Sequence, residues 1–241
     1  MIAKSLLLVD DDESLLELLG DYLRRLGYSL RTARNGHEAL EQVRDGPLDL
    51  VILDVMMPGL DGWATLQRIR TQTSLPVIML TALGDEPEVL RGFASGADDY
   101  VAKPFSFAQL AARIQAVLAR SVSTTHPEPD AAVLQVGSLR LDLGAHRVTR
   151  DGHPLDLTPT EFQLLVTFME QPGQVLSPRH LVARVWGAEY VDDTDYIRRY
   201  VWHLRQKLEP DPRHPCFIEN VRGVGYRLRP AQESITPSLG S

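Results

Sequence analysis

Short unbroken apolar runs alternate with amphipathic stretches over the first 120 residues, and few folds accept that alternation. Leu6–Val9 (LLLV), Leu50–Leu53 (LVIL) and Pro76–Leu80 (PVIML) contain no polar side chain. A strand can be apolar at every position only where both faces of its sheet are covered, as in a parallel sheet. Ser29–Ala33 and Asp99–Ala102 are two further, weaker strand candidates. Between the runs lie helical patterns. Leu15, Leu16, Leu19, Tyr22, Leu23 and Leu26 recur at spacings of three and four, as do Phe107, Leu110, Ala111, Ile114, Val117 and Leu118. Five strand–helix units of this size predict an α/β doubly wound five-stranded parallel sheet, in which ligands bind beyond the carboxyl ends of the strands.

The pattern stops at 121–133, SVSTTHPEPDAAV, where Ser, Thr and Pro dominate and no periodicity survives. Such a stretch reads as a flexible linker. Beyond it, 139–157 reads as short strands joined by turns, with Asp151-Gly152 the clearest hairpin signal. Three helices follow. The first opens at Thr158-Pro159-Thr160-Glu161, with an N-cap, a proline at the first helical position and a capping-box glutamate. The second opens at Ser177-Pro178 in the same manner. The third spans about Thr194 to Leu208 and stops before Glu209-Pro210-Asp211-Pro212. Two strand-like pieces, Phe217–Asn220 and Gly225–Arg229, flank a glycine-rich tip, Arg222-Gly223-Val224-Gly225. The expected organisation is therefore a domain at 1–120, a linker at 121–133, a second domain at 134–230 and a disordered tail at 231–241.

Composition narrows the setting. With 44% hydrophobic residues the chain has enough apolar content for a packed core. No apolar run approaches the ~18–20 residues a membrane span needs. The N-terminus lacks a secretory signal, and the single cysteine, Cys216, excludes a disulfide framework and a cysteine-based zinc site. A cytoplasmic location follows. The net charge of −7 argues weakly against nucleic acid, yet residues 179–229 hold ten Lys and Arg against seven acids. A local basic patch on an acidic chain is still an electrostatic footprint.

Asp10 and Asp11 end the first predicted strand and Asp54 the third, so all three converge at one edge of the sheet. Clustered carboxylates repel one another unless a cation intervenes, and a hard divalent ion, Mg2+ above all, suits oxygen ligands. Thr81 ends the fourth strand with a hydroxyl and Lys103 the fifth with an ammonium. A lone aspartate at a strand end is more often a helix cap. Five matching groups on four strands look built to stabilise a phosphoryl group on a carboxylate.

At these residues the chain resembles the receiver domain of bacterial two-component response regulators. The resemblance rests on LLLVDDDE (6–13), LVILDVMMPGLDGW (50–63), VIMLTA (77–82) and GADDYVAKPF (96–105). It implies that Asp54 is a phosphoacceptor served by a sensor histidine kinase. It implies that Asp11, Asp54 and the backbone carbonyl of Met56 hold Mg2+, with Asp10 acting through water. Thr81 and Lys103 would contact the phosphoryl oxygens, Tyr100 would change rotamer as Thr81 moves, and the Lys103–Pro104 bond would be cis. A rival class, the haloacid-dehalogenase phosphatases, places an acid two residues after its nucleophile; here that position is Met56. The residue two beyond Thr81, Leu83, is also apolar. Neither side chain orients a hydrolytic water, so self-dephosphorylation is expected to be slow.

In the third C-terminal helix, Ile197, Val201, Leu204 and Leu208 form one stripe and Arg199, Trp202, His203 and Gln206 the opposite one, with Arg198 and Arg205 flanking. Guanidinium and amide groups on one helix face suit a DNA major groove, and an arginine on a glycine-rich tip suits a minor groove. This half resembles the winged-helix effector domain of the OmpR/PhoB group through LTPTEFQLL (157–165), LSPRHLVARVWG (176–187), HLRQKLEPDP (203–212) and NVRGVGYRL (220–228). The helix text YIRRYVWHLRQKLE (196–209) is similar to potassium-responsive, Kdp-type members. The resemblance implies that Arg199, His203 and Arg222 read bases, with Arg198, Trp202, Arg205 and Asn220 as backbone or supporting contacts. Trp186 is expected to pack. Tyr196, Tyr200 and Trp202 depart from the smaller or basic residues of many relatives.

Family likeness further implies a homodimer on phosphorylation through the receiver's fourth helix, fifth strand and fifth helix, with Arg91, Asp98, Asp99, Arg113 and Arg120 as ion-pair candidates. Val89 and Gln109 stand where one basic–acidic pair of the family is expected, so both sides of that pair are missing together. The dimer would place two winged helices on tandem half-sites of double-stranded DNA. The leading reading is thus a phosphorylation-switched transcription regulator. An aspartyl-phosphate phosphatase is the alternative from another class. A third reading has the C-terminal domain bind a protein such as RNA polymerase, through residues 186–193, instead of DNA or alongside it.

Overall fold

The computed structural model describes residues 3–82, 96–122, 133–187 and 197–230. The expected fourth receiver helix, Arg91, Val89, Leu83, Tyr196 and the tail 231–241 lie outside the described residues. The chain forms two compact units, the first of Met1–Val122 with Leu157–Glu161 and the second of Ser123–Asp156 with Phe162–Ser241. Most of the helix Pro159–Met169 thus belongs to the second.

In the first unit, β1 (Ser5–Val9), β2 (Ser29–Ala33), β3 (Leu50–Asp54), β4 (Val77–Ala82) and β5 (Asp99–Lys103) form a five-stranded parallel sheet in the order β2-β1-β3-β4-β5. The described helices are α1 (Glu13–Arg25), α2 (Gly36–Arg44), α3 (Gly62–Arg70) and α4 (Phe107–Val122). The strands' alternation splits their apolar residues between two cores. Leu7, Val9, Val51, Leu53, Val77 and Met79 pack with residues of α2 and α3. Leu6, Leu8, Leu50, Ile52, Ile78 and Leu80 pack with residues of α1 and α4. The unbroken apolar runs exist because both faces are covered. α4 extends two residues into the stretch expected as linker, and a strand begins at the last residue of that stretch.

Helix starts follow local chemistry. The third of the consecutive aspartates, Asp12, caps α1 by accepting from the Ser14 and Leu15 N–H groups at 2.9 and 3.2 Å. Asn35 caps α2 through the Glu38 N–H, while Glu38 accepts from the Arg34 N–H at 2.8 Å. Asp61 caps α3 through the Ala64 N–H at 2.7 Å. The first residue of α3 is glycine for a steric reason: a Cβ on Gly62 would lie 2.1 Å from the carbonyl oxygen of Asp54 and 2.8 Å from the Val55 Cα. Both obstacles are main chain and cannot swing aside. Gly62→Ala is expected to destabilise the first unit by ~3 kcal/mol or more, as severe overpacking does. Urea unfolding measures it, and a loss below about 1 kcal/mol would show that the β3–α3 turn yields.

The second unit opens with a four-stranded antiparallel sheet, β6 (Val133–Val136), β7 (Leu139–Asp142), β8 (Arg147–Arg150) and β9 (His153–Leu155), in sequence order. Asp151 and Gly152 join β8 to β9 with φ of 52° and 80°, the pair of positive values a type I′ hairpin requires. The helices are α5 (Pro159–Met169), α6 (Pro178–Val185) and α7 (Ile197–Leu208). The expected capping box is present: Glu161 accepts from the Thr158 N–H at 2.8 Å. A second sheet of order β10-β12-β11 joins β10 (Val175–Leu176) to the hairpin of β11 (Ile218–Val221) and β12 (Gly225–Leu228). Three helices with a C-terminal hairpin make a winged helix. The described part of the chain contains no helix long and apolar enough to cross a membrane.

Candidate functional site

β1 stops at Val9 and β3 at Asp54, so Asp10, Asp11 and Asp54 meet at the carboxyl edge of adjacent strands. Their carboxylate oxygens lie within 4.8 Å of one another, the one such group of potential metal ligands among the described residues. Asp10 and Asp54 are buried, with Asp54 2% exposed, whereas Asp11 faces solvent. Lys103, the last residue of β5, reaches in from two strands away. Its Nζ lies 2.8 Å from Asp10 Oδ2 and 2.8 Å from Asp54 Oδ1. The Lys103–Pro104 bond that follows is cis, as the resemblance implied.

The electrostatics are those of an anionic pocket with one fixed cation. Burial pushes the Asp54 carboxyl up from its ordinary range; the hydrogen bond and charge of Lys103 oppose this, and Asp10 and Asp11 add to the rise. On Lys103, burial acts downward, but its bonds to Asp10 and Asp54 outweigh it and the ammonium titrates above its ordinary range. Three carboxylates around one ammonium leave a surplus of negative charge on hard oxygen donors. That donor set fits a small divalent cation. Asp10 also braces the turn by accepting from the Asp12 N–H at 2.9 Å.

Thr81 is the penultimate residue of β4. It pairs with Ala102, next to Lys103, and stands one residue beyond Leu80, the partner of Asp54. Tyr100 is half-buried on β5, its ring centroid 6.2 Å from that of Trp63. Met56 follows Asp54 by two residues and its side chain is exposed.

Of the ion-pair candidates among the described residues, Asp98, Asp99 and Arg113 have partners within the first unit. Asp98 is fully buried: it accepts from Arg70 Nη2 at 2.9 Å and from the Val77 N–H at 3.0 Å. It fixes the approach to β5. Asp99 and Arg113 pair with each other within the chain at 2.8 Å, both largely buried. The sequence pattern marked these residues as charged but not which way they point.

In the second unit α7 divides as expected. Ile197, Val201, Leu204 and Leu208 are buried, and so is Tyr200, whose ring lies 4.6 Å from that of Trp186. Arg198, Trp202 and Gln206 are exposed, and Arg199 and His203 half-exposed. Asn220 and Arg222 are exposed on the hairpin. Arg205 has a different part. Its Nε donates to the Ile218 carbonyl at 3.0 Å, and burial lowers the guanidinium's pKa. It ties α7 to β11 through this bond.

Glu209, read from sequence only as part of a helix stop, is a structural hub. Its buried carboxylate accepts from the N–H groups of Cys216, Phe217 and Ile218 at 2.7, 3.0 and 2.9 Å. The proline-rich text after it concealed that the chain turns back onto the same residue.

Known proteins match along this division. Residues 6–115 match the response regulator receiver domain, and residues 152–228 the C-terminal domain of transcriptional regulatory proteins. The transcriptional regulatory protein AfsQ1 of Streptomyces coelicolor is 44% identical over 228 residues, covering 95% of this chain and 99% of that protein. The sensory transduction protein RegX3 of Mycolicibacterium smegmatis is 41% identical over 224 residues, covering 93% and 98%. Among solved structures, a mutant of RitR superposes with a TM-score of 0.74 at 26% identity, over 95% of this chain and all of that one.

Proposed function

The chain belongs to the two-component response regulators of the OmpR/PhoB winged-helix type, and from that premise we propose that Asp54 is its phosphoacceptor. The protein is a phosphorylation-activated, DNA-binding transcription regulator. The observation that carries the Asp54 assignment is the bridge of Lys103 between Asp10 and Asp54 at the carboxyl edge of the sheet. A carboxylate oxygen of Asp54 attacks the phosphorus of a phosphohistidine on a sensor kinase. A P–O bond forms as the P–N bond breaks, and the imidazole, already protonated on its other ring nitrogen, leaves neutral. Lys103 and Thr81 receive the phosphoryl oxygens, and Tyr100 answers the movement of Thr81. Asp11, Asp54 and the Met56 carbonyl would hold Mg2+, with Asp10 behind them. Bound there, the ion supplies positive charge against the transferring group.

Dephosphorylation without a helper is slow, because Met56 offers no group to orient water. The exposed thioether also disfavours a phosphatase, which needs an acid there. Arg199, His203 and Arg222 read bases in a cytoplasmic protein on tandem DNA half-sites. Phosphorylation favours a homodimer whose pairs form only if Asp99 and Arg113 exchange their present partnership. RNA polymerase is a further partner, reached through residues 186–193.

The test is a paired measurement with acetyl phosphate and Mg2+ on the full chain. Affinity for promoter DNA and sedimentation should both change on phosphorylation, and label on Asp54 should persist for minutes. Loss of label within seconds would overturn the slow-hydrolysis part. In the same assay, Arg199→Ala and His203→Ala are each expected to cost roughly 1–3 kcal/mol on a specific site and far less on random DNA. Equal losses on both would make them phosphate contacts.

A further inference from the structure

The middle of the exposed face of α7 is occupied by an indole. At about 100° of turn per residue, Leu204 and Tyr200 lie about 160° from Trp202 on either side, on the buried pole. Arg198 and Gln206 flank Trp202 at about 40°, and Arg199 at about 60°. Trp202 is 38% exposed. Among the described residues of the second unit, the exposed large apolar side chains are Val133, Trp202 and Val224. Two of the three therefore sit on the helix and the hairpin tip that a winged helix turns toward DNA.

From this placement we propose that Trp202 reads the 5-methyl group of a thymine in the major groove, and so makes the regulator select T over C near the centre of each half-site. The inference rests on the DNA-binding reading above and deepens it. Arg198 on one side suits a phosphate and Arg199 on the other a base edge, a charge match for duplex DNA and for no apolar partner. An indole has one donor and no acceptor, so it cannot imitate the bidentate pairings by which arginine reads guanine or glutamine reads adenine. What it offers a base edge is apolar area. In the major groove the thymine methyl is the apolar group on offer. Arg205, about 60° from Trp202 on the side of Arg198, is tied to β11 by its Nε bond to the Ile218 carbonyl.

The test removes only the methyl. The full chain, phosphorylated with acetyl phosphate and Mg2+, is used to select duplexes from a randomised library. The winning duplex is then resynthesised with deoxyuridine in place of each thymine in turn. For the native protein, one uracil per half-site should weaken binding about fourfold, the ratio expected for one buried carbon. Trp202→Phe should keep that sensitivity, and Trp202→Gln should lose it while still binding the duplex. Sequence-specific binding by the native chain with no thymine sensitive to demethylation would overturn the proposal and leave the regulator intact. So would a fourfold ratio that survives in Trp202→Gln, or a Trp202→Gln defect confined to self-association without DNA. Failure to enrich any duplex would overturn the DNA-binding reading together with it.

Discussion

Asp54→Asn should take up no phosphoryl group from acetyl phosphate or from a histidine kinase, and its promoter affinity should stay at the unphosphorylated level whatever the donor. The amide keeps the shape of the side chain but is not a nucleophile, and no other described acid has the same surroundings: Asp10 shares Lys103 with Asp54 but also accepts from the Asp12 N–H, and Asp11 is solvent-exposed. Hydroxylamine- and base-labile phosphate measured by mass spectrometry checks the first part and anisotropy on promoter DNA the second. Stoichiometric labelling of the variant would remove Asp54 from its assigned place. The variant should also be stable. Burial raises the Asp54 pKa in the folded state, so the folded protein binds this proton more tightly than the unfolded chain does. Stability from this group is greatest below the unfolded pKa, about 4, and falls as pH rises through the folded value. At neutral pH the charged carboxylate is a burden that the amide removes. Without Mg2+ the variant should melt at or above the native temperature, and its gain on adding Mg2+ should be smaller.

Glu209→Ala should have the largest effect on the second unit. The truncation strips the partner from the N–H groups of Cys216, Phe217 and Ile218 where the chain enters β11. A buried donor left unsatisfied costs about 1–3 kcal/mol; with the Ile218 N–H buried and the other two part-buried, a total of ~3–5 kcal/mol is expected. Thermal unfolding of the second unit should move down by many degrees, and DNA affinity should fall with it, since the hairpin carrying Arg222 starts there. Phosphorylation of Asp54 should be unaffected. Glu209→Gln keeps one acceptor oxygen but turns an amide nitrogen toward N–H groups, and should lie between. A Glu209→Ala protein that melts like the native one would show that water replaces the carboxylate.

How much of this was legible in the text of the chain differs between its halves. The apolar runs of the first unit announce a two-faced sheet, and five polar groups at strand ends announce the site, because each falls where an apolar run stops. Edge strand β2, Ser29–Ala33, was the weaker signal because a strand paired on one side only needs less apolar cover. In the second unit the proline and turn chemistry of α5, α6 and the β8–β9 hairpin was readable, since caps and positive φ are local demands. β6 and β10 were not foreseen: four and two residues carry too little period to be seen without their partners. The same limit applies to side-chain direction. Asp98, Arg113, Arg205 and Glu209 look like surface charges in one dimension. Only the returning chain turns them into struts, by bringing Arg70, Asp99, the Ile218 carbonyl and the Cys216–Ile218 amides to them.

Trp63 has a use that its packing against Tyr100 makes available. The chain has three tryptophans; Trp186 is sealed against Tyr200 in the other unit and Trp202 faces outward. Any rotation of the Tyr100 ring alters the surroundings of one indole alone, so emission from Trp63 is a built-in optical gauge of the switch. With the other two tryptophans replaced by phenylalanine, stopped-flow fluorescence could time activation in solution without attaching a dye.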